Sequence, residues 1–152
     1  MSRYVFSGWR ATDIASIHSG FPFNVTAPYD VANTGSSAYQ RPELVGQLFP
    51  AGFQQTLNEW FNKSALTVIP YTYGNMGRNI MRAPDARGDI FGLIKATRLT
   101  ERANAEFRAE FFNLFNHPNF NGPNVKMTSA SFGRVLSASD PRFIQFGLKL
   151  LF

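Results

Sequence analysis

The chain has 152 residues, 44% hydrophobic and 16% charged, with no cysteine and a net charge of +5. A one-domain length with less than the usual quarter of charged residues excludes a disulfide scaffold and thiolate metal sites. It holds no run approaching the ~18 apolar residues of a transmembrane helix. The basic residues are spread out, with Arg78, Arg82 and Arg87 as the tightest group, so no Lys/Arg-rich footprint of a nucleic-acid-binding protein is present.

Segment 8–19 comes first and alternates: Trp9, Ala11, Ala15 and Ile17 fall on one side, Arg10, Thr12, Ser16 and His18 on the other. Asp13 and Ile14 break the pattern. A period of two indicates a strand, and Gly20 and Pro22 end it. The tract 27–87 is rich in Pro, Gly, Asn and Ser. A loop of that length is either functional or contains small elements of its own. Within it, Leu57, Trp60 and Phe61 are spaced for one face of a short helix over 54–61.

A β-compatible run over 88–99 follows, with Phe91, Leu93 and Thr97 facing one way and Gly92, Ala96 and Arg98 the other. Thr100 and Glu101 suit a tight polar turn. The next segment, 102–115, alternates closely: Ala103, Ala105, Phe107, Ala109 and Phe111 against Asn104, Glu106, Arg108 and Glu110. Phe107, Phe111 and Leu114 also fit a helical face, and Ala, Glu and Arg favour helix by propensity. Strand and helix both remain open, the strand preferred because a short preceding turn suits a hairpin. Segment 116–141 reads as a loop, with a strand fragment expected over 132–136.

The last segment, 142–152, is the most informative. Ile144, Phe146, Leu148, Leu150 and Phe152 share one face; Gln145, Gly147 and Lys149 share the other, with Phe143 and Leu151 at its ends. Soluble chains usually end in a frayed polar tail, whereas a wholly apolar strand face suits lipid. A small or polar reverse face suits a barrel lumen.

The segment Gln145-Phe146-Gly147-Leu148-Lys149-Leu150-Leu151-Phe152 resembles the C-terminal assembly signal of outer-membrane barrels, with Gln145, Gly147, Leu150 and Phe152 in its key places. Phe107-Arg108-Ala109-Glu110-Phe111-Phe112-Asn113-Leu114-Phe115-Asn116-His117-Pro118-Asn119-Phe120 resembles the penultimate strand of large TonB-dependent receptors of the Oar-like group, which usually carry a carboxypeptidase-regulatory-like domain. Trp60-Phe61-Asn62 followed by Tyr73-Gly74-Asn75-Met76-Gly77-Arg78-Asn79 resembles the loop before their third-last strand. Gly8-Trp9 and Ser19-Gly20-Phe21-Pro22-Phe23 resemble the strand and loop before that.

The resemblance implies an all-β fold: an antiparallel sheet of about four long strands at 8–19, 88–99, 102–115 and 142–152, part of a large transmembrane barrel, with extracellular loops 20–87 and 116–141. It implies the C-terminal segment of a receptor that takes up a bulky nutrient across the cell outer membrane. The implied partners are outer-membrane lipid, the remainder of the barrel and its plug, the barrel-assembly machinery, and TonB through an absent N-terminal region. Such a receptor has ~22 strands around a plug, and Met1 to Trp9 carries no signal-peptide pattern. A gene fragment or truncated reading frame is therefore expected.

The remaining chemistry-bearing residues have plainer readings. His18 and His117 are the only histidines and lack metal-ligand spacing. Glu106 and Glu110 fit a lumen-facing charge ladder with Arg10, Arg98, Arg108 and Lys149 better than a catalytic carboxylate pair. Gly74-Asn75-Met76-Gly77-Arg78-Asn79 lacks the lysine and the strand–helix context of a phosphate loop, and no G-x-S-x-G elbow occurs. Expected lumen-facing residues are Arg10, His18, Glu106, Arg108, Glu110 and Lys149. Expected loop contacts to a ligand are Trp60, Tyr71, Tyr73 and Arg78, since exposed aromatics often serve this way. No catalytic residue, cofactor or metal is expected. The alternative is a secreted or surface β-domain that binds carbohydrate through loop aromatics; a small hydrolase is a weaker third reading.

Overall fold

The computed structural model describes residues 6–36 and 40–152. Residues 1–5, within the segment read as lacking a signal peptide, and 37–39, within the tract read as an outer loop, lie outside the described residues. The fold is all-β, a four-stranded antiparallel sheet with long connections. The chain divides into two compact units, one of Met1–His18, Ala86–Asn119 and Ser139–Phe152, the other of Ser19–Asp85 and Phe120–Ala138.

The first unit is the sheet. Its strands are β1 (Trp9–His18), β6 (Ala86–Arg98), β7 (Asn104–Phe112) and β8 (Phe143–Leu151), in the order β1-β6-β7-β8. The register pairs Trp9 with Lys95 and His18 with Ala86, Arg98 with Asn104 and Ile90 with Phe112, and Asn104 with Leu151 and Phe112 with Phe143. Both long connections therefore leave the sheet from the end where His18 meets Ala86 and Phe112 meets Phe143. The short connection joins β6 to β7 at the opposite end.

That short turn is built by Thr100, whose Oγ1 accepts from the backbone N–H of Arg102 at 3.3 Å and Ala103 at 3.0 Å. Leu99 N donates to Ala103 O at 2.9 Å. The strand at 102–115 forms between two hydrogen-bonded neighbours, β6 and β8, and this ladder outweighs its helical propensity. It stops at Phe112, not at 115. Asn113 takes a positive φ of 55°, a conformation Asn tolerates better than most residues. The Asn113 side chain then accepts from His117 N at 2.8 Å, and Asp89 accepts from Asn113 N at its backbone carbonyl and from Leu114 N at its carboxylate.

The second unit gathers the expected loop tracts around a core of their own. It contains the short pairs β2 (Pro22–Phe23) with β5 (Met81–Arg82) and β3 (Glu43–Leu44) with β4 (Leu66–Thr67), and one 3-10 turn at Lys63–Ala65. Val25, Phe61, Met76 and Met81 are at most 1% exposed, and Leu48, Ala65, Leu66 and Phe132 complete the core. Phe61 meets Phe132 edge-on at 5.4 Å between ring centroids, a geometry favoured by the ring quadrupoles.

Asparagines replace regular ladders in this unit. Asn75 Oδ1 accepts from Leu44 N at 2.7 Å. Asn62 Oδ1 accepts from Ser64 N at 3.2 Å. Asn124 donates to the hydroxyls of Ser129 and Ser131. Side-chain amides supply the partners that irregular backbone needs once it is buried.

Two sequence expectations are corrected here. No helix forms over 54–61: Thr56 and Glu59 close a tight turn by exchanging backbone bonds at 3.0 and 3.2 Å. Trp60 N donates to Gly133 O, and Leu57 O accepts from Val135 N, each at 2.8 Å. These cross-chain bonds use groups that a helix would have needed. Nor is 132–136 a strand; Phe132 and Gly133 lie in a turn with Gly133 at φ 76°, and the nearest bridge pairs Phe120 with Ala138.

Candidate membrane-spanning sheet and loop clefts

Because side chains alternate and partners share a face, the register sorts the whole sheet into two surfaces. One surface carries Ala105, Phe107, Ala109 and Phe111 of β7 opposite Leu150, Leu148, Phe146 and Ile144 of β8. On β6 it continues through Phe91, Leu93 and Thr97, and on β1 through Trp9, Ala11, Ala15 and Ile17. Phe107 stacks on Phe146 at 6.0 Å with their planes 17° apart, and Phe91 meets Phe111 at 6.0 Å.

This surface is apolar and bare: Phe146 is 66% exposed, Leu148 70% and Leu150 51%. Its charges keep to the half built by β1 and β6. Lys95, opposite Trp9, reaches over the indole ring at 5.3 Å and donates to Ser7 O. Asp89 folds its carboxylate onto Leu114 N. Asp13, opposite Phe91, is the polar break in the pattern. A cation beside a tryptophan near a strand end is the arrangement of a membrane interface, where long side chains reach back to water.

The other surface collects Arg10, His18, Glu106, Arg108 and Glu110 with Gln145, Gly147 and Lys149. Glu106 sits directly opposite Lys149, and Glu110 opposite Gln145. Arg108 Nε donates to Glu106 Oε1 at 2.6 Å. Arg10 shares a row with Arg108 through Ile94, while His18 lies at the far end opposite Ala86. The glycines keep this surface thin, Gly147 opposite Arg108 and Gly92 opposite Glu110.

Of the residues in the terminal pattern, Gln145 and Gly147 lie on the polar surface and Leu150 on the apolar one. Phe152 follows the end of β8 and is 97% exposed. β1 and β8 are the sheet's outer strands, with no further strand beside either among the described residues.

The residues expected to contact a ligand separate. Trp60 packs against the core of its unit, and its Nε1 donates to Arg82 O at 2.8 Å. It lines a cleft of about 360 Å³ with Phe49, Gln55, Ile80 and Asp85. Tyr71 and Tyr73 are 80% and 74% exposed and line neither that cleft nor the hollow that holds Arg78. That hollow measures about 560 Å³ and is lined by Asn24, Thr26, Arg41 and Arg78. Arg41 went unnoticed in the sequence because it lies 37 positions before Arg78 in an irregular tract.

Asp30 organises a separate polar loop. Its carboxylate is held below the usual aspartate value of 3.8, first by the backbone N–H of Thr34, then by the Gln40 amide and the N–H of Gly35.

An antiparallel sheet with one mainly apolar surface and one that gathers most of the charges, long connections at one end and a short turn at the other, is barrel-wall geometry. A family model for the outer membrane beta barrel domain matches residues 1–145. The chain belongs to this family. As an outer-membrane barrel chain it resides in the cell outer membrane. No curated protein and no solved structure matches the chain.

Proposed function

We propose that this barrel chain is the C-terminal wall of a TonB-dependent receptor that takes up a bulky nutrient. The observation that carries this reading is the β7–β8 register, which sets four successive same-face pairs of small or apolar residues on one surface and the Glu106–Lys149 and Glu110–Gln145 pairs on the other. The first surface suits hydrocarbon, the second a watered lumen. Arg10, His18, Arg108 and the ladder beside them then line the pore.

The strand lengths suit the role. Nine residues of β8 extend ~30 Å at about 3.3 Å per residue. Tilted by ~40°, that length spans ~23 Å, close to an apolar band of ~25 Å. Four strands do not close a barrel. Lateral pairing of β1 and β8 with further strands removes both open edges, and a plug and an N-terminal TonB-contacting segment complete the receptor.

The Oar-like pattern at 107–120 favours this receptor class, and so does the placement of both long connections at one end, which we assign to the outside. Gln145, Gly147, Leu150 and Phe152 serve as the strand read by the assembly machinery. Tyr71 and Tyr73 serve as exposed ligand contacts in the outer loops. The segment performs no bond chemistry of its own. The coding sequence upstream of Met1 tests the receptor reading: further alternating strands and a plug in frame are expected, and a frame that encodes no plug contradicts it.

A further inference from the structure

We propose that Arg41 and Arg78 bind an oxyanion, a phosphate or carboxylate group, in the 560 Å³ hollow of the loop unit that they line with Asn24 and Thr26. The inference rests on the reading of this unit as the ligand-facing side of a receptor, and it names the chemical class the site takes.

Two segments far apart in sequence are fixed against each other to build the hollow. Asn24 Nδ2 donates to Asn79 Oδ1 at 2.7 Å, and Asn79 N donates to Asn24 Oδ1 at 2.6 Å. This reciprocal pair pins the residue beside Arg78 to Asn24, which also lines the hollow. On the other side, a Cβ at Gly74 would lie 1.9 Å from Arg41 O and 2.4 Å from Pro42 O. Only glycine permits that approach of one backbone to the other. Met76 N then donates to Pro42 O at 3.2 Å, and Pro42 and Met76 are both fully buried. Each arginine is thus carried on a segment anchored in the core.

Neither guanidinium has an ion-pair or hydrogen-bond partner among the described residues. Glu43, the acid nearest Arg41 in sequence, is engaged by Asn75 N at 3.1 Å. Both arginines are exposed and border the same hollow, so an anion held there meets two positive charges. Their planar donor forks match carboxylate and phosphate geometry. The volume falls in the range of ligand pockets, so the oxyanion enters as one group of a larger molecule. That group belongs either to a soluble ligand or to the phosphorylated lipid of the outer leaflet.

The test uses the whole chain refolded in dodecyl maltoside, with arginine Nε–H resonances followed by NMR. Inorganic pyrophosphate represents the soluble source, and lipid A in mixed micelles the lipid source. Saturable shifts are expected at Arg41 and Arg78 and not at Arg10 or Arg142, with one probe bound more tightly and so identifying the source. Arg41→Gln and Arg78→Gln should each weaken binding roughly tenfold or more, while the Lys variants keep part of it.

The Trp60 indole N–H resonance, set by its bond to Arg82 O, shows that the variants keep the fold. No saturable shift with either probe, equal shifts at all arginines, or unchanged binding by folded Gln variants overturns the site. Loss of the site with the sheet still inserted in bilayers removes only the ligand class. Binding that persists while the coding sequence upstream of Met1 encodes no plug removes the receptor reading instead.

Discussion

The sheet unit and the loop unit use one alphabet for two solvents. In the loop unit, Phe61, Val25, Met76 and Met81 are withdrawn from water almost completely, and asparagine side chains satisfy the irregular backbone around them. In the sheet unit the order is inverted. Every residue of β8 is exposed, large apolar groups included, and the backbone is satisfied by ladders. A water-soluble domain hides such a face; a barrel wall presents it to lipid. Burial therefore marks the core of one unit, and exposure marks the working surface of the other.

Paired substitutions break or sharpen this contrast. Phe61→Ala should lower the unfolding free energy of the loop unit by about 3–5 kcal/mol, through lost burial and the cavity left behind. Leu148→Ala, on the bare face, should cost about 0.5 kcal/mol or less. Urea titration in detergent, read by Trp60 fluorescence in a Trp9→Phe background for the first and by far-ultraviolet circular dichroism for the second, compares the two. A reversed ranking would show that the sheet face is packed and the loop core is not.

Next in size, Leu148→Arg should destabilise the membrane-inserted state by roughly 2–4 kcal/mol, while Gln145→Arg on the opposite surface costs ~0–1 kcal/mol. Equal costs, measured by refolding into lipid vesicles, would erase the distinction between the two surfaces. In the full-length parent, Phe152→Ser should lower the outer-membrane level several-fold, as quantified by blotting membrane fractions. Normal levels would count against the terminal strand as an assembly signal.

The smallest effect concerns Asp30. Its folded pKa is depressed below 3.8, so its stabilising contribution is complete above that value and is lost as pH falls through the folded value. Amide exchange at Thr34 and Gly35 should accelerate below about pH 3.8 in the wild type. In Asp30→Asn that pH step should be absent.

The sheet was legible because a period of two survives in single sequences. The segments expected at 88–99 and 142–152 match β6 (Ala86–Arg98) and β8 (Phe143–Leu151) within two residues. Where the period was ambiguous, at 102–115, the neighbours of β7 decided the matter, and the left-handed Asn113 fixed where it ends. The loop unit was not legible. Its core joins Val25, Phe61, Met76 and Phe132 across more than 100 positions, and no local pattern encodes such contacts. The helix expected over 54–61 failed for the same reason: Gly133 and Val135 claim the backbone of Trp60 and Leu57. Of the arginines that line the hollow, Arg78 was visible in its glycine-rich turn, but its companion Arg41 emerged only from the fold.

The most direct measurement is site-directed spin labelling of β8, made simple by the absence of native cysteine. Single cysteines at positions 145 to 150 are labelled in the bilayer-reconstituted protein, and collisions with oxygen and with a water-soluble nickel chelate are recorded. Oxygen contact should peak at 146, 148 and 150, and nickel contact at 145, 147 and 149. A flat profile, or nickel contact equal at every position, would contradict a strand with lipid on one side and water on the other.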